Sequence, residues 1–107
     1  MIYSLKGKLI YIENDFIVVE AMGIGFQVFF MKNSIATLEL GSQVELFCYL
    51  HLKEGGIELY GFKTQKEMSF FKLLNSVSGV GPKSALAIMG VAKTSDLLAA
   101  IKEGRSD

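Results

Sequence analysis

The segment VELFCYLHLK at residues 44–53 gives the strongest indication of the fold of the first part of the chain. Its aliphatic residues and Cys48 fall at every second position from Val44 to Leu52, and the more polar or aromatic residues fall between them. A period of two over ten residues is the pattern of a β-strand with one buried face. The segment therefore predicts a strand over residues 43–53.

Four further apolar runs, rich in β-branched and aromatic residues, flank this segment and are separated by turn sequences. They predict strands over residues 1–12, 16–22, 25–31 and 56–62. Between the third and fourth strands, residues 33–40 predict a short helical turn capped by Asn33 or Ser34. Five short strands with one helical insertion before the fourth predict a closed β-barrel of the OB type over residues 1–62.

The second part of the chain, residues 63–107, predicts a small helical region, so the overall class is a two-part α+β fold. Thr64 and Glu67 have the spacing of a capping box at the start of a first helix. Its apolar stripe comprises Met68, Phe70, Phe71, Leu73, Leu74 and Val77. Pro82 suits the first position of a second helix, which buries Ala85, Leu86 and Met89 and ends at Gly90. A third helix is predicted from the cap Thr94 to Gly104.

The chain has 107 residues, of which 50% are hydrophobic and 21% charged, and its net charge is zero. This composition excludes intrinsic disorder and a strongly basic nucleic-acid coat. The charge is unevenly spread, because residues 1–62 carry a net −3 and residues 63–107 a net +3. The basic excess of the second part is compatible with a surface that faces DNA or with solvated helix faces.

One cysteine and one histidine, Cys48 and His51, exclude an internal disulfide, a multi-cysteine zinc site and a histidine-rich metal centre. Cys48 lies in the inward phase of its strand and is predicted to be a buried structural thiol. No apolar run approaches the ~18 residues of a membrane helix. We therefore expect a cytoplasmic protein with no membrane partner and no cofactor.

The segment that most clearly suggests a binding role is Gly79-Val80-Gly81-Pro82-Lys83-Ser84, which joins the first two predicted helices. Two glycines allow a tight turn that a ligand can approach closely. The free amides of Gly81, Lys83 and Ser84 at the start of the next helix would form an anion site, with Val80 anchoring the turn. A phosphate held in this way is bound without reading a base. The alternative is an ordinary helix–helix turn with a surface lysine.

Five segments carry a resemblance to a known family: the opening Met1-Ile2 with Leu5-Lys6-Gly7, GIGFQV at 23–28, LYGF at 59–62, FFKLL at 70–74 and VSGVGPKSALAI at 77–88. Together they resemble the RuvA family of Holliday-junction-binding subunits. The resemblance implies an OB barrel followed by a helical domain with two helix-hairpin-helix units and a small C-terminal domain. This chain would then be the N-terminal part, ending after the first hairpin and its next helix.

The resemblance further implies a non-catalytic scaffold for four-way DNA in recombination and repair. Such subunits form homotetramers or octamers and present the junction to an ATP-driven RuvB-type motor, which the C-terminal domain engages. Carried over by position, Gly79, Val80, Gly81, Lys83 and Ser84 would contact phosphates in the minor groove. Glu54 would be an acidic pin at the crossover, with Gly55 in place of a second acid. Without the second hairpin, we expect weak junction binding and no branch migration.

Two other function classes remain open. An OB module for single strands would use Phe47, Tyr49, Tyr60 and Phe62 as a stacking platform, although the same residues could instead pack the barrel against the helices. A helix-hairpin-helix glycosylase would use Lys83 as its nucleophile and would need a downstream aspartate, for which Asp96 is the candidate.

Overall fold

The computed structural model describes residues 3–91. The elements, in chain order, are β1 (Ser4–Ile12), β2 (Phe16–Ala21), β3 (Ile24–Phe29), α1 (Lys32–Ile35), β4 (Gln43–Lys53), β5 (Gly56–Phe62), α2 (Gln65–Asn75) and α3 (Pro82–Met89). The predicted bounds of β4 and β5 are confirmed, whereas β2 and β3 each end earlier than predicted. The helix predicted over 94–104 lies outside the described residues.

The five strands form a closed barrel in the order β1-β2-β3-β5-β4. All neighbouring strands are antiparallel except β3 and β5, which run parallel and are paired at Phe29 and Tyr60. A register shift between Leu9 and Tyr11 bends β1, which pairs with both β2 and β4. The predicted OB-type barrel with a helical insertion before β4 is therefore confirmed.

The predicted cap of the short helix α1 is wrong. Its N-cap is Met31, which makes no side-chain capping bond, and not Asn33 or Ser34. The Met31 carbonyl accepts the amides of Ser34 and Ile35, each at 3.0 Å. Met31 is buried in the core beneath the helices, so tertiary packing rather than a capping side chain decides where α1 begins.

Strand β5 is buried on both faces over its second half, and each face belongs to a different core. Leu59 packs into the barrel, where Gly61 also faces inward. A Cβ at Gly61 would lie 2.5 Å from Cγ1 of Val28, so only glycine fits there. Tyr60 and Phe62 point the other way and pack with α2 and α3. Alternation along one strand thus joins the barrel to the helices.

The thiol of Cys48 faces the barrel core, as predicted. Burial raises its pKa to about 11. Because only the thiolate reacts, we expect the folded chain at about pH 8 to react with a disulfide reagent about a hundredfold more slowly than the unfolded chain. Absorbance of the released thiolate follows the rate, and the same chain in guanidinium is the control. A fast reaction without denaturant would contradict a closed barrel.

None of the helices within residues 3–91 has the length and apolar character needed to cross a membrane.

Candidate nucleic-acid interface

Helix α2 precedes the hairpin and begins with the predicted capping box. The Thr64 side chain accepts the amide of Glu67 at 3.1 Å, and the Glu67 carboxylate accepts the amide of Thr64 at 3.3 Å. The helix ends at Asn75, so the prediction that Val77 continues the buried stripe is wrong, and Val77 is 40% exposed. Ser76 is the C-cap, its hydroxyl donates to the Leu73 carbonyl at 2.6 Å, and the amide of Val77 donates to the Leu74 carbonyl at 3.1 Å, which tightens the last turn.

Residues 76–81 turn the chain from α2 into α3. Gly79 lies in the left-handed region at φ +85°, which a residue with a Cβ rarely adopts. The amide of Val80 donates to the carbonyl of Val77 at 3.0 Å and closes the turn. The Val80 side chain is half-buried against the core of the helices, as predicted. The turn is thus anchored by one side chain, and its glycines face solvent.

Helix α3 begins without a capping side chain. Gly81 is the N-cap, Pro82 occupies the first turn as predicted, and the first helical bond runs from the Ala85 amide to the Gly81 carbonyl at 2.9 Å. Within residues 3–91 the amides of Lys83 and Ser84 donate to no backbone acceptor. Both residues are exposed, so these donors are available at the positive end of the helix dipole. The helix ends at Gly90, as predicted.

The Lys83 ammonium contacts the barrel. Its Nζ lies 3.4 Å from Oε2 of Glu58 on β5 and 4.5 Å from the ring centroid of Phe29 on β3. The Lys83 side chain is 60% exposed and that of Glu58 only 11% exposed. The lysine is therefore reachable from solvent while it pairs with a largely buried carboxylate.

Sequence reasoning missed Glu58. The alternation of β5 places it on the same face as Tyr60 and Phe62, and it is the only charged residue there. That pattern could have marked it as a polar residue facing the helices. Its pairing with a lysine 25 positions away required the fold.

Hydrogen bonding keeps Glu58 ionised. Burial alone raises the pKa of this carboxyl, but bonds from Lys53, Tyr60 and Lys83 outweigh burial and hold the pKa below its ordinary value. Burial and the neighbouring carboxylate both raise the pKa of Tyr60. The Glu58 carboxylate therefore stabilises the folded chain above the ordinary pKa of glutamate, and this contribution is lost as the pH falls through the lowered value.

Glu54, the predicted acidic pin, lies exposed in the turn between β4 and β5. The next residue, Gly55, has φ +88°, and Lys53 pairs with Gly56 across the turn. A second acid in place of Gly55 would have to adopt the left-handed conformation. The conformation of the two-residue turn therefore explains why the turn carries one acidic residue, Glu54, and not two.

The aromatic residues proposed as a stacking platform are covered by the helices. Tyr60 and Phe62 are fully buried, while Phe47 and Tyr49 are half-buried against the same core. Packing of the barrel against the helices, the second interpretation of these residues, is thus confirmed. The structure also groups no three His, Cys, Asp or Glu side chains as metal ligands among residues 3–91.

Comparison with known proteins agrees with this architecture. A family model described as the RuvA N-terminal domain matches residues 1–61. Proteins named Holliday junction branch migration complex subunit RuvA are 43% identical over 90 residues in Acetivibrio thermocellus and 40% identical over 103 residues in Bacillus velezensis. These alignments cover 83% and 96% of this chain, but 45% and 50% of the relatives.

A third relative of the same name, from a Thermoanaerobacter species, is 38% identical over 105 residues, which cover 97% of this chain and 56% of the relative. The chain thus spans about half the length of the curated relatives that it matches. The family match covers the barrel, and the alignments with the named relatives extend through the helical hairpin. The chain belongs to the RuvA family.

Proposed function

We propose that this chain is the junction-binding part of a non-catalytic scaffold that holds four-way DNA for an ATP-driven motor of the RuvB type. The hairpin at residues 79–84 would grip duplex phosphates through the amides of Gly81, Lys83 and Ser84 and through the Lys83 ammonium. Such contacts position a duplex without reading its sequence. The motor would supply the energy for branch migration, and this chain would hold the arms of the four-way junction in place.

The observation that carries the proposal is the uncapped start of α3 beside an exposed lysine. Helix amides that donate to no protein acceptor favour an anion at the end of the helix. The hairpin is also fixed to the barrel through the aromatic core, so its direction is set by the fold. Within residues 3–91 the aromatics on the helix-facing side of β5 are covered, which argues against the single-strand alternative.

The proposed assembly is a homotetramer in which the barrels meet around the crossover. Leu52 and Ile57 support self-association, because they are cross-strand partners at the end of the β4–β5 hairpin and each is 68% exposed. Adjacent exposed aliphatic side chains of this kind often mark a protein contact. Self-association would bring several copies of Glu54, two residues from Leu52, into one region of negative potential.

The function is tested by gel-shift titration with a synthetic four-way junction, using linear duplex and single strand as competitors at low and moderate salt. We expect the chain to prefer the junction and Lys83→Glu to weaken binding about tenfold, equivalent to roughly 1.4 kcal/mol. Lys8→Glu, an exposed site on β1, carries the same change in charge and is the control. We expect it to retain most of the affinity.

Preference for single strands that Lys83→Glu leaves unchanged would move the function to the barrel and contradict the proposal. Equal losses in the two variants would show that net charge, rather than the hairpin, governs binding.

A further inference from the structure

Glu58 lies between two lysines that come from the two exposed turns already described. Its Oε2 lies 3.1 Å from Nζ of Lys53, beside the β4–β5 turn, and 3.4 Å from Nζ of Lys83 in the hairpin. Its other oxygen, Oε1, accepts the hydroxyl of Tyr60 at 2.9 Å. One carboxylate oxygen of Glu58 therefore pairs with two lysines, and one of them, Lys83, is the residue proposed to bind a DNA phosphate.

A DNA phosphate brought to Lys83 would meet this carboxylate. An ammonium shared between a carboxylate and a phosphate binds each more weakly, and the two anions repel each other. The Glu58 carboxylate keeps an ion pair and a hydrogen bond without Lys83, because Lys53 and Tyr60 still contact it. The Lys83 side chain is 60% exposed, so it can turn from Glu58 to a phosphate without leaving the largely buried carboxylate unpaired.

We propose that Glu58 competes with DNA for Lys83. The carboxylate pairs with the lysine in the free protein, and a phosphate of the DNA backbone displaces it. This inference rests on the proposed function, since it takes the hairpin as the phosphate site. Glu58 acts through Lys83 and needs no contact with DNA. Its consequence is a lower affinity for phosphate than the hairpin would otherwise have.

The test compares Glu58→Gln with Glu45→Gln in titrations of four-way junction DNA over a range of salt. The glutamine keeps an oxygen for the Tyr60 hydroxyl and replaces the charged oxygen that faces Lys53 and Lys83 with an uncharged amide group. Glu45 is exposed on β4 and forms no salt bridge within residues 3–91, so its variant controls for the loss of one negative charge. We expect Glu58→Gln to bind about fivefold more tightly and Glu45→Gln to stay within about twofold of the parent chain.

The salt dependence gives a second readout. If Lys83 gains a full phosphate contact when Glu58 is neutral, the slope of log affinity against log salt should steepen by up to about 0.9. Glu58→Ala should change affinity in the same direction, which guards against a peculiarity of the glutamine. Thermal unfolding of each variant verifies that the fold is retained.

A double-mutant cycle with Lys83→Met decides whether the effect passes through the lysine. We expect Glu58→Gln to have no effect on affinity when Lys83 is methionine. An equal gain in both backgrounds would overturn the inference, because the carboxylate would then act on DNA directly or through Lys53 rather than through Lys83. Unchanged or weaker binding by Glu58→Gln, with Lys83→Met still impaired, would overturn the inference alone. Parent-like binding by Lys83→Met would instead overturn the proposed function.

Discussion

Replacing Phe71 with alanine is expected to lower the free energy of unfolding by about 3–5 kcal/mol, the range for a fully buried phenylalanine. Phe71 has no exposed surface and lies at the centre of the aromatic cluster. Its ring centroid is 4.9 Å from that of Phe62, 5.3 Å from Tyr49 and 5.4 Å from Tyr60. All three partners belong to barrel strands, so the substitution removes the main contact that holds α2 on the barrel.

Urea unfolding followed by far-ultraviolet circular dichroism and by tyrosine fluorescence measures the loss. Phe26→Ala is the matched control, because Phe26 is half-buried and, among residues 3–91, packs against the barrel core and not against the core of the helices. We expect the control to lose about half as much as Phe71→Ala, in line with its smaller buried area. A loss below about 1 kcal/mol for Phe71→Ala would contradict the shared core.

Replacing Gly79 with valine is expected to weaken junction binding about thirtyfold, equivalent to roughly 2 kcal/mol. A β-branched residue is a strong outlier at the φ of +85° that Gly79 adopts. No neighbour within the described residues 3–91 lies within 4 Å of a Cβ placed there, so the cost arises from the backbone conformation rather than from crowding by neighbours. The turn would have to change shape, and the amides at the start of α3 would no longer converge on one phosphate.

Gly81→Ala tests whether a phosphate needs open space beside the turn, because this substitution leaves the backbone conformation of the turn unchanged. Gly81 has φ −81°, which any residue adopts, and a Cβ there also meets nothing within 4 Å in the part of the chain that the structure describes. We expect urea unfolding to show a loss of no more than about 1 kcal/mol, because alanine adopts this φ without strain but is a poorer helix N-cap than glycine. Gel shifts should show binding reduced several-fold, because the new methyl group occupies the space through which a phosphate approaches. Undiminished binding by both glycine variants would exclude the hairpin as the DNA contact.

Much of the fold could be predicted from the sequence, because local patterns dominate it. Alternation along residues 43–53 identified β4, and the Thr64–Glu67 spacing and Pro82 identified the starts of α2 and α3. The errors arose where tertiary contacts overrule local preference. Met31 begins α1 because it is buried, and Leu52 is exposed although it continues the inward phase of β4, because the strand extends past the barrel core.

The candidate site was only partly accessible to the same reasoning. The glycine turn and Lys83 are neighbours along the chain, so their spacing alone predicted an anion site. The partners of Lys83 are not neighbours in sequence, because Phe29 and Glu58 reach it from β3 and β5. Pairing of this kind depends on how the barrel closes, and no pattern within one segment encodes it.

The two faces of β5 have a geometric consequence for the distance between the Glu54 turn and the helical core. The strand begins beside the Glu54 turn at Gly56 and ends in the helical core at Phe62, a span of about 20 Å for seven residues. Adding one residue within this span would exchange its faces and turn Tyr60 and Phe62 away from the helices. Only insertions or deletions of two residues preserve both cores, so the distance from the Glu54 turn to the helical core can change only in increments of about 7 Å.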